Sequence, residues 1–132
     1  MSNSEIDRVR FLYECFNKGD FDAVFAAMAE DVLWANAAEG GHERGRDNVR
    51  SYWQRLSRKV VARDEPIDFS QPESGVVTVT VAQSLMSPQG HPIDSGGGGL
   101  QCKTLLHRFK LVDNQIVRFD VEDLPPKTSQ RR

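Results

Sequence analysis

The sequence is poor in cysteine and has no long apolar run, and each absence excludes a class of protein. Its two cysteines, Cys15 and Cys102, lack C-x-x-C spacing and a nearby cluster of metal ligands, so we expect reduced thiols packed in the interior and no disulfide. No stretch of about 18 apolar residues occurs, and the charged opening MSNSEIDRVR is not typical of a secretory signal. We therefore expect a cytoplasmic protein that neither binds nor crosses a membrane.

The sequence also lacks an excess of charge of either sign. Its 17 Lys and Arg residues stand against 19 Asp and Glu residues, which gives a net charge of −2 at pH 7 and a pI of about 5.9. Nucleic-acid-binding domains are typically strongly basic. We therefore expect no nucleic-acid partner, although the tail residues Lys127, Arg131 and Arg132 are locally positive.

The composition is typical of one globular domain. Hydrophobic residues make up 39% and charged residues 27% of the 132 positions, close to globular averages. A chain of this length buries roughly two-thirds of its unfolded surface, which is enough for a core with an internal pocket. We predict a single domain over residues 1–124 and a disordered basic tail over residues 125–132, because the tail is polar and begins with prolines.

Apolar residues in the first half of the chain recur at helical spacing. The spacing predicts one helix over residues 4–17 and a second short helix that follows the N-cap residue Asp20. A third, amphipathic helix is predicted to begin near Arg46 and to carry Tyr52 on its apolar face. Between the second and third helices we expect a short strand over residues 32–36 and a loop over residues 37–45.

The pattern changes after Pro66 to the alternation that is typical of strands. Strands are predicted from Ile67 onward, and then over residues 76–85, 100–112 and 115–122, the last two joined by a turn at Asp113-Asn114. Residues 87–99 form the longest predicted loop, whose glycines at 96–99 do not follow the strand-to-helix pattern of a phosphate-binding loop. Helices followed by a meander of antiparallel strands predict an α+β fold in which the helices cover one face of a curved sheet.

Alternation also indicates which strand residues face the helices, because residues two apart in a strand share a face. The odd-numbered positions form the more apolar face, and in the last strand they include Val117 and Phe119. Two polar residues, Gln83 and His107, interrupt this face. A buried polar group without a partner costs roughly 1–3 kcal/mol, so each of them needs an internal hydrogen bond or a ligand.

Three phrases of the sequence carry a resemblance to a known family. They are NKGDFDAVFAAMAEDVLW at residues 17–34, GRDNVRSYW at residues 45–53 and HRFKLVDNQIVRF at residues 107–119. Together they resemble the SnoaL-like and ketosteroid-isomerase-like branch of the nuclear transport factor 2 superfamily. The resemblance implies a cone-shaped α+β fold, with a curved antiparallel sheet wrapped around three N-terminal helices. It implies no single activity, because the superfamily includes isomerases, cyclases, epoxide hydrolases, dehydratases and binding proteins.

The resemblance also assigns positions in this chain. Asn36 lies where ketosteroid isomerases have their carboxylate base, His107 lies near their oxyanion-stabilising acid, and Tyr13 is one residue from the place of their helix-one tyrosine. The late carboxylate of polyketide cyclases falls at Val121. Because an Asn cannot remove a proton, these positions place no carboxylate base in the cavity, and we expect no steroid isomerase chemistry; whether Asp120 or Glu122 reaches the cavity stays open. The family implies a homodimer, and apolar residues predicted for the outer sheet face agree with it: Val76, Leu100, Cys102 and Ile116.

Each candidate site residue has a functional and a structural interpretation. His107 is the candidate base or proton donor, and its alternative is a hydrogen-bonded core residue. Asn36 is the candidate that orients a ligand oxygen, and its alternative is a cap of the loop after its strand. The candidates for lining a ligand, which are otherwise core or rim residues, are Tyr13, Trp34, Tyr52, Gln83, Phe109 and Phe119. Neighbouring loop residues such as His42 and Glu43 lack the spacing of a preorganised metal site, so we expect neither metal nor cofactor.

Two functions of different classes are compatible with these residues. The first is binding of a small, largely apolar molecule that contains a carbonyl group, with the cofactor-free acid–base chemistry of an isomerase, a cyclase or a hydratase. The second is a non-catalytic binding or dimerisation module of the same fold.

Overall fold

The computed structural model describes residues 4–91 and 102–123. In chain order the elements are α1 (Ser4–Lys18), α2 (Phe21–Ala26), β1 (Met28–Ala35), β2 (His42–Arg44), α3 (Arg46–Ser57), β3 (Val61–Glu73), β4 (Val76–Met86), β5 (Cys102–Val112) and β6 (Gln115–Asp123). The predicted α+β class is confirmed. The glycine run at 96–99 and the tail at 125–132 lie outside the described residues. Within the described part of the chain, no helix is long and apolar enough to span a membrane.

Local sequence signals account for the ends of the first two helices. Helix α1 ends at the Asn-Lys-Gly stop, where Gly19 adopts the left-handed φ of 83° that a residue with a side chain rarely takes. Asp20 then caps α2, and its side chain accepts a hydrogen bond from the backbone N–H of Ala23 at 3.4 Å. Both predicted helices are therefore confirmed, and the abrupt turn places α2 against α1.

The strands form one curved, open sheet in the order β2-β1-β6-β5-β4-β3. Strands β3 to β6 form the predicted antiparallel meander, but β1 lies parallel to β6. The expectation of a wholly antiparallel sheet was therefore wrong at this pair. Its physical reason is connectivity: β1 precedes α3 and joins the free edge of β6 at long range, so no hairpin imposes an antiparallel direction.

Three strands differ from the prediction by more than two residues, and the first of them is β1, which begins at Met28 and not at residue 32. Residues 42–44, predicted as loop, form β2 and pair antiparallel with the end of β1. Strand β3 begins at Val61 and runs through Pro66, where the sequence pattern had indicated a boundary. Proline fits there because β3 is an edge strand, which does not need every backbone N–H for the ladder. The register of β3 shifts twice, between Pro66 and Asp68 and between Ser70 and Glu73, and the second shift spans Pro72.

The core lies between the helices and the odd-numbered face of β4 and β5. Val77, Val79 and Val81 of β4 are wholly buried, and Phe109 of β5 is buried beside them. They pack with the buried apolar faces of the three helices, which include Val9, Val24 and Val49. Removing this much apolar surface from water is the main stabilising contribution to such a fold.

The prediction that odd-numbered strand residues face the core is wrong at one place in β6. The register shifts between Lys110 and Leu111, so Leu111 pairs with Ile116 and the side chain of Ile116 turns to the interior, where it is 0% exposed. Val117, predicted to face the core, is only half-buried. Ile116 is therefore not on the outer sheet face, and Leu100 lies outside the described residues. The homodimer stays a prediction that has lost one of its supporting residues.

The turn between β5 and β6 has the predicted geometry. Asp113 and Asn114 have φ values of 51° and 66°, the pair of positive angles that a two-residue hairpin turn of type I′ requires. This turn fixes which residues of β5 and β6 face one another near the turn, and so helps to position the inner side chains of both strands.

Candidate functional site

A cavity of about 400 Å³ lies between the helices α1 and α3 and the inner face of the sheet. Seven of the eight residues predicted for the site line it: Tyr13, Trp34, Tyr52, Gln83, His107, Phe109 and Phe119. The size is within the range of cavities that hold a small organic molecule.

A tyrosine and a histidine form a hydrogen-bonded pair in the cavity wall. The hydroxyl of Tyr13, on α1, lies 2.7 Å from Nδ1 of His107, on β5. Each side chain is 4% exposed, and the two rings stack with centroids 6.0 Å apart. Helix spacing turns Tyr13 toward the sheet and strand alternation turns His107 toward the helices, so the pair forms where the two layers meet.

Both members of the pair are uncharged near neutral pH. Burial lowers the pKa of His107 to about 4, because a charged imidazolium loses its hydration there. Burial, and after it the negative charge of Asp64, raises the pKa of Tyr13 well above 10. If the hydroxyl donates to Nδ1, the imidazole keeps an N–H at Nε2; if Nδ1–H donates, the hydroxyl keeps its own proton. In either tautomer the pair has one hydrogen-bond donor left for a third group.

Aromatic rings surround this pair and give the cavity flat apolar walls. Phe119 contacts His107 edge-on, with centroids 4.9 Å apart, and stacks on Trp34 at 4.1 Å. Trp53 contacts Trp34 edge-on, with ring centroids 5.6 Å apart. The chain has two tryptophans, and both line the cavity.

A carboxylate that was not among the predicted site residues enters the cavity. Asp64, on β3, lines the cavity wall and is only 8% exposed. It lies directly opposite Gln83 of β4, whose Nε2 donates a hydrogen bond of 2.9 Å to Asp64 Oδ1. Burial raises the pKa of Asp64 from its ordinary value, and the hydrogen bond from Gln83 opposes that increase. Within the described residues, Oδ2 of Asp64 has no hydrogen-bond partner.

The backbone of Asp64 is held by the helix that carries Tyr13. The side-chain amide of Asn17 donates from Nδ2 to the carbonyl oxygen of Asp64 at 2.7 Å, and its Oδ1 accepts from the N–H of Asp64 at 3.2 Å. Asn17 lies one helical turn after Tyr13, so one face of α1 fixes both the tyrosine and the strand residue that bears the carboxylate. These hydrogen bonds hold Asp64 in one position, and a residue that acts on a ligand in a defined geometry needs such support.

The residues around Asp64 alternate as in a strand, but the predicted strand begins only after Pro66. Ala62 and Asp64 alternate with exposed residues and pair with Leu85 and Gln83, the inner positions of β4. Extending the strand backward through the proline would have placed Asp64 beside Gln83. The register shift between Pro66 and Asp68 then transfers the inward face to Phe69, which hides the continuity of the pattern.

Asn36 is not among the residues that line the cavity. Its Oδ1 accepts a 2.7 Å hydrogen bond from the N–H of Glu39, and its Nδ2 donates to Glu39 Oε1 at 3.0 Å and Glu43 Oε2 at 2.9 Å. Arg55 of α3 binds the same two carboxylates, at 2.9 and 3.7 Å. The structure therefore places Asn36 at the loop after β1, where it caps the loop, and not in contact with the cavity.

Tyr52, on α3, lines the cavity. Burial raises its pKa, while backbone hydrogen bonds from Ala38 and Ala37 oppose that increase. Tyr13 is the tyrosine whose hydroxyl meets another polar side chain of the cavity.

The fold and site define a class of protein: an α+β domain with a curved sheet that encloses an apolar cavity with two polar pairs in its wall. The chain matches the model of the SnoaL-like domain over residues 9–119. The protein belongs to the SnoaL-like domain family, within the nuclear transport factor 2-like fold. None of the curated proteins matches the chain.

Solved structures with this fold include proteins of several descriptions. A nuclear transport factor 2-like protein of unknown function from Burkholderia pseudomallei has a TM-score of 0.78 at 20% identity, covering 93% of this chain and 92% of that one. A proposed polyketide cyclase from Xanthomonas campestris has a TM-score of 0.69 at 27% identity, covering 89% and 88%. An epoxide hydrolase from M. tuberculosis has a TM-score of 0.69 at 17% identity, covering 89% and 80%. The first and third similarities show a shared fold and carry no activity over to this chain.

Proposed function

We propose that this protein binds a small, largely apolar carbonyl compound in the cavity and moves a proton at the carbon next to the carbonyl group. Asp64 is the base, and the Tyr13–His107 pair holds the carbonyl oxygen. The observation that carries the proposal is the buried carboxylate of Asp64 in the same cavity wall as a neutral pair with one spare donor. A base and an oxyanion stabiliser are the two groups that this chemistry requires.

The reaction needs no group from outside the chain. Asp64 removes a proton from the carbon, the C–H bond breaks, and its electron pair passes into an enolate. The enolate oxygen accepts the hydrogen bond from the Tyr13–His107 pair, and the proton returns from Asp64 to the same carbon or to another position. Isomerisation and cyclisation of carbonyl compounds share this first step, so the proposal includes both.

The electrostatics of the cavity suit each role. A carboxylate is a stronger base when its pKa is raised, and burial does this for Asp64. A neutral donor stabilises the negative charge that develops on the carbonyl oxygen and forms no ion pair with the bound substrate. Burial keeps His107 neutral at pH 7. The apolar, aromatic wall strengthens both interactions, because apolar side chains do not compete for these hydrogen bonds as water does.

Two proteins that share this fold agree with a small organic ligand. They are a proposed polyketide cyclase and an epoxide hydrolase, and both names stand for chemistry on small organic molecules. The chemistry of the family varies, so the residues of this chain carry the argument.

The first test uses 2-tetralone, an apolar ketone with exchangeable protons beside its carbonyl, and tetralin, the hydrocarbon without the carbonyl. Binding is followed by tryptophan fluorescence, because Trp34 and Trp53 both line the cavity. Exchange of the ketone's protons for deuterium is followed by NMR in deuterated buffer. We expect both compounds to change the fluorescence and 2-tetralone to exchange faster with the protein than in buffer.

Variants separate the roles of the cavity residues. Asp64→Asn is expected to abolish the added exchange and to keep binding, whereas Asp68→Asn, an exposed carboxylate on the same strand, is expected to change neither. Tyr13→Phe is expected to weaken binding of 2-tetralone and not of tetralin, since only the ketone uses the donor. Binding without added exchange would favour the non-catalytic binding module, and no binding of either compound would refute the proposal.

A further inference from the structure

The loop after β1 forms one side of the opening of the cavity. Trp34 lies in the cavity wall and is 6% exposed, whereas Ala37 and Ala38 line the cavity and are exposed to solvent. The chain therefore leads from the interior of the cavity to its mouth. We call residues 37–41 the mouth loop. Because two of its residues line the mouth, a movement of this loop changes the width of the opening.

Burial of apolar surface does little to hold the mouth loop in place. All five of its residues, Ala-Ala-Glu-Gly-Gly, are exposed. At its end, Gly40 and Gly41 have φ values of 96° and 76°, which turn the chain back toward β2. A segment with few buried apolar contacts opens at a low free-energy cost unless polar contacts hold it. The position of the mouth loop therefore depends on its hydrogen bonds and ion pairs.

Glu39 of the mouth loop is held from two sides, by Asn36 and by Arg55. Asn36 is 2% exposed and hydrogen-bonds both the N–H and the carboxylate of Glu39. Arg55 of α3 donates two hydrogen bonds to the same carboxylate, from Nη2 to Oε1 at 2.9 Å and from Nε to Oε2 at 3.3 Å. The hydrogen bond from Arg55, and after it that from Asn36, lowers the pKa of Glu39. The carboxylate is therefore charged at neutral pH, and we call its ion pair with Arg55 the clamp.

The clamp lies beside the cavity but outside it. The guanidinium carbon of Arg55 is 6.0 Å from the ring centroid of Tyr52, which lines the cavity. Neither Arg55 nor Glu39 is among the described residues that line the cavity. The two side chains of the clamp are each 45% exposed. Exposed ion pairs are weak and are screened by salt, so the clamp can hold the mouth loop and still release it.

We propose that the mouth loop is a gate of the cavity and that Arg55 is the positioning residue that holds it closed. This inference rests on the binding of a small apolar molecule in the proposed function, and it concerns how that molecule enters and leaves. Because Arg55 contacts the loop and not the ligand, the clamp favours the closed loop equally in the empty and in the filled cavity. Loss of the clamp therefore accelerates association and dissociation by the same factor and leaves the dissociation constant unchanged.

Stopped-flow tryptophan fluorescence with tetralin measures both rates. In Arg55→Met we expect each rate to rise about threefold, the factor that corresponds to the loss of one exposed ion pair. Tetralin is uncharged, so salt acts on the clamp and not on an attraction between protein and ligand. NaCl at 0.5 M should therefore accelerate both rates in the wild type and have little effect in Arg55→Met.

Three further variants show whether the ion pair itself is responsible. Glu39→Gln removes the clamp from the other side and should give the same acceleration as Arg55→Met, and the double variant should be no faster than either single one. Arg55→Lys keeps the charge but cannot donate two parallel hydrogen bonds, so its rates should be intermediate. Arg58→Met is the matched control: Arg58 is exposed one residue after the end of α3 and has no ion pair within the described residues, and its replacement should leave both rates unchanged.

Two measurements on the protein without ligand test the same gate. The amide N–H groups of Glu39 and Gly40 both donate to Asn36, so their hydrogen exchange in NMR should be faster in Arg55→Met than in the wild type. Acrylamide, a small neutral quencher, must enter the cavity to reach Trp34. In a Trp53→Phe background, where Trp34 is the remaining tryptophan, Arg55→Met should increase the quenching of its fluorescence.

The outcomes distinguish the gate from the proposed function. Unchanged amide exchange and unchanged quenching in Arg55→Met would overturn the gate, whatever tetralin does. A faster dissociation with an unchanged association rate would also overturn it, because the loop would then be a wall that contacts the ligand. If tetralin and 2-tetralone fail to bind while exchange and quenching increase as expected, the proposed function is wrong and the gate stands.

Discussion

The buried His107 makes a quantitative prediction for the pH dependence of stability. Its pKa is about 4 in the folded protein and about 6.5 in an unfolded chain. Below pH 6.5 the unfolded chain takes up a proton that the folded protein refuses, so stability falls as the pH decreases, and the loss is complete below pH 4. Integrating the two titrations between pH 7.5 and pH 4.5 gives a loss of about 2.5 kcal/mol from this one residue.

The variant His107→Gln isolates this contribution, because glutamine does not titrate and can still accept a hydrogen bond from Tyr13. At pH 7.5 we expect the variant to be about 1 kcal/mol less stable than the wild type, the ordinary cost of disturbing one buried hydrogen bond. At pH 4.5 we expect it to be more stable than the wild type by roughly 1.5 kcal/mol, since the wild type has lost about 2.5 kcal/mol that the variant keeps.

The assay is urea unfolding followed by circular dichroism at a series of pH values, with wild type and variant measured side by side. The other titrating groups are present in both proteins and largely cancel in the difference. His91→Gln is the control for the substitution itself, because His91 is exposed and does not line the cavity, and its replacement should change the unfolding free energy by less than about 0.5 kcal/mol. A difference for His107→Gln that stays constant across this range would show that the imidazole is not held neutral, and the electrostatic argument for the site would fail with it.

Two further predictions concern the other polar pair and the hairpin. Gln83→Leu removes the hydrogen bond that opposes the raised pKa of Asp64; the midpoint of the pH profile for 2-tetralone exchange should move to higher pH, and a shift to lower pH would contradict the role of Asp64 as base. Asn114→Gly relieves the cost of a φ of 66° at the turn and should raise the unfolding free energy by about 0.5 kcal/mol in urea unfolding, whereas a loss of stability would mean that the Asn side chain stabilises the turn.

The parts of the fold that depend on local patterns were predictable from the sequence. Helical spacing placed Tyr13 on the inner face of α1, and strand alternation placed Gln83 and His107 on the inner face of the sheet. The turn at Asp113-Asn114 followed from residue types alone. These features are encoded within a few residues of each other, so a periodic pattern is enough to find them.

The parts that the sequence did not reveal depend on irregular pairing. The shifts in β3 and between β5 and β6 exchange inner and outer positions, and this is why Asp64 was missed and Val117 was assigned in place of Ile116. The parallel pairing of β1 with β6 arises between distant segments, and no local pattern records it. The surroundings of Asn36 could not be read from the sequence for another reason: its carboxylate neighbours Glu39 and Glu43 come together only when the loop after β1 folds back.

The prolines and register shifts of β3 also protect the protein from aggregation through the edge of its sheet. An open sheet has two free edges, and a long, flat edge strand is a template on which another chain can add a strand and begin to aggregate. In β3, Pro66 and Pro72 each lack a backbone N–H, and the shifts beside them interrupt the flat, regular row of groups that a new strand would need. The same irregularity that hid Asp64 from the sequence pattern thus helps the sheet to stay open at that edge without pairing with further chains.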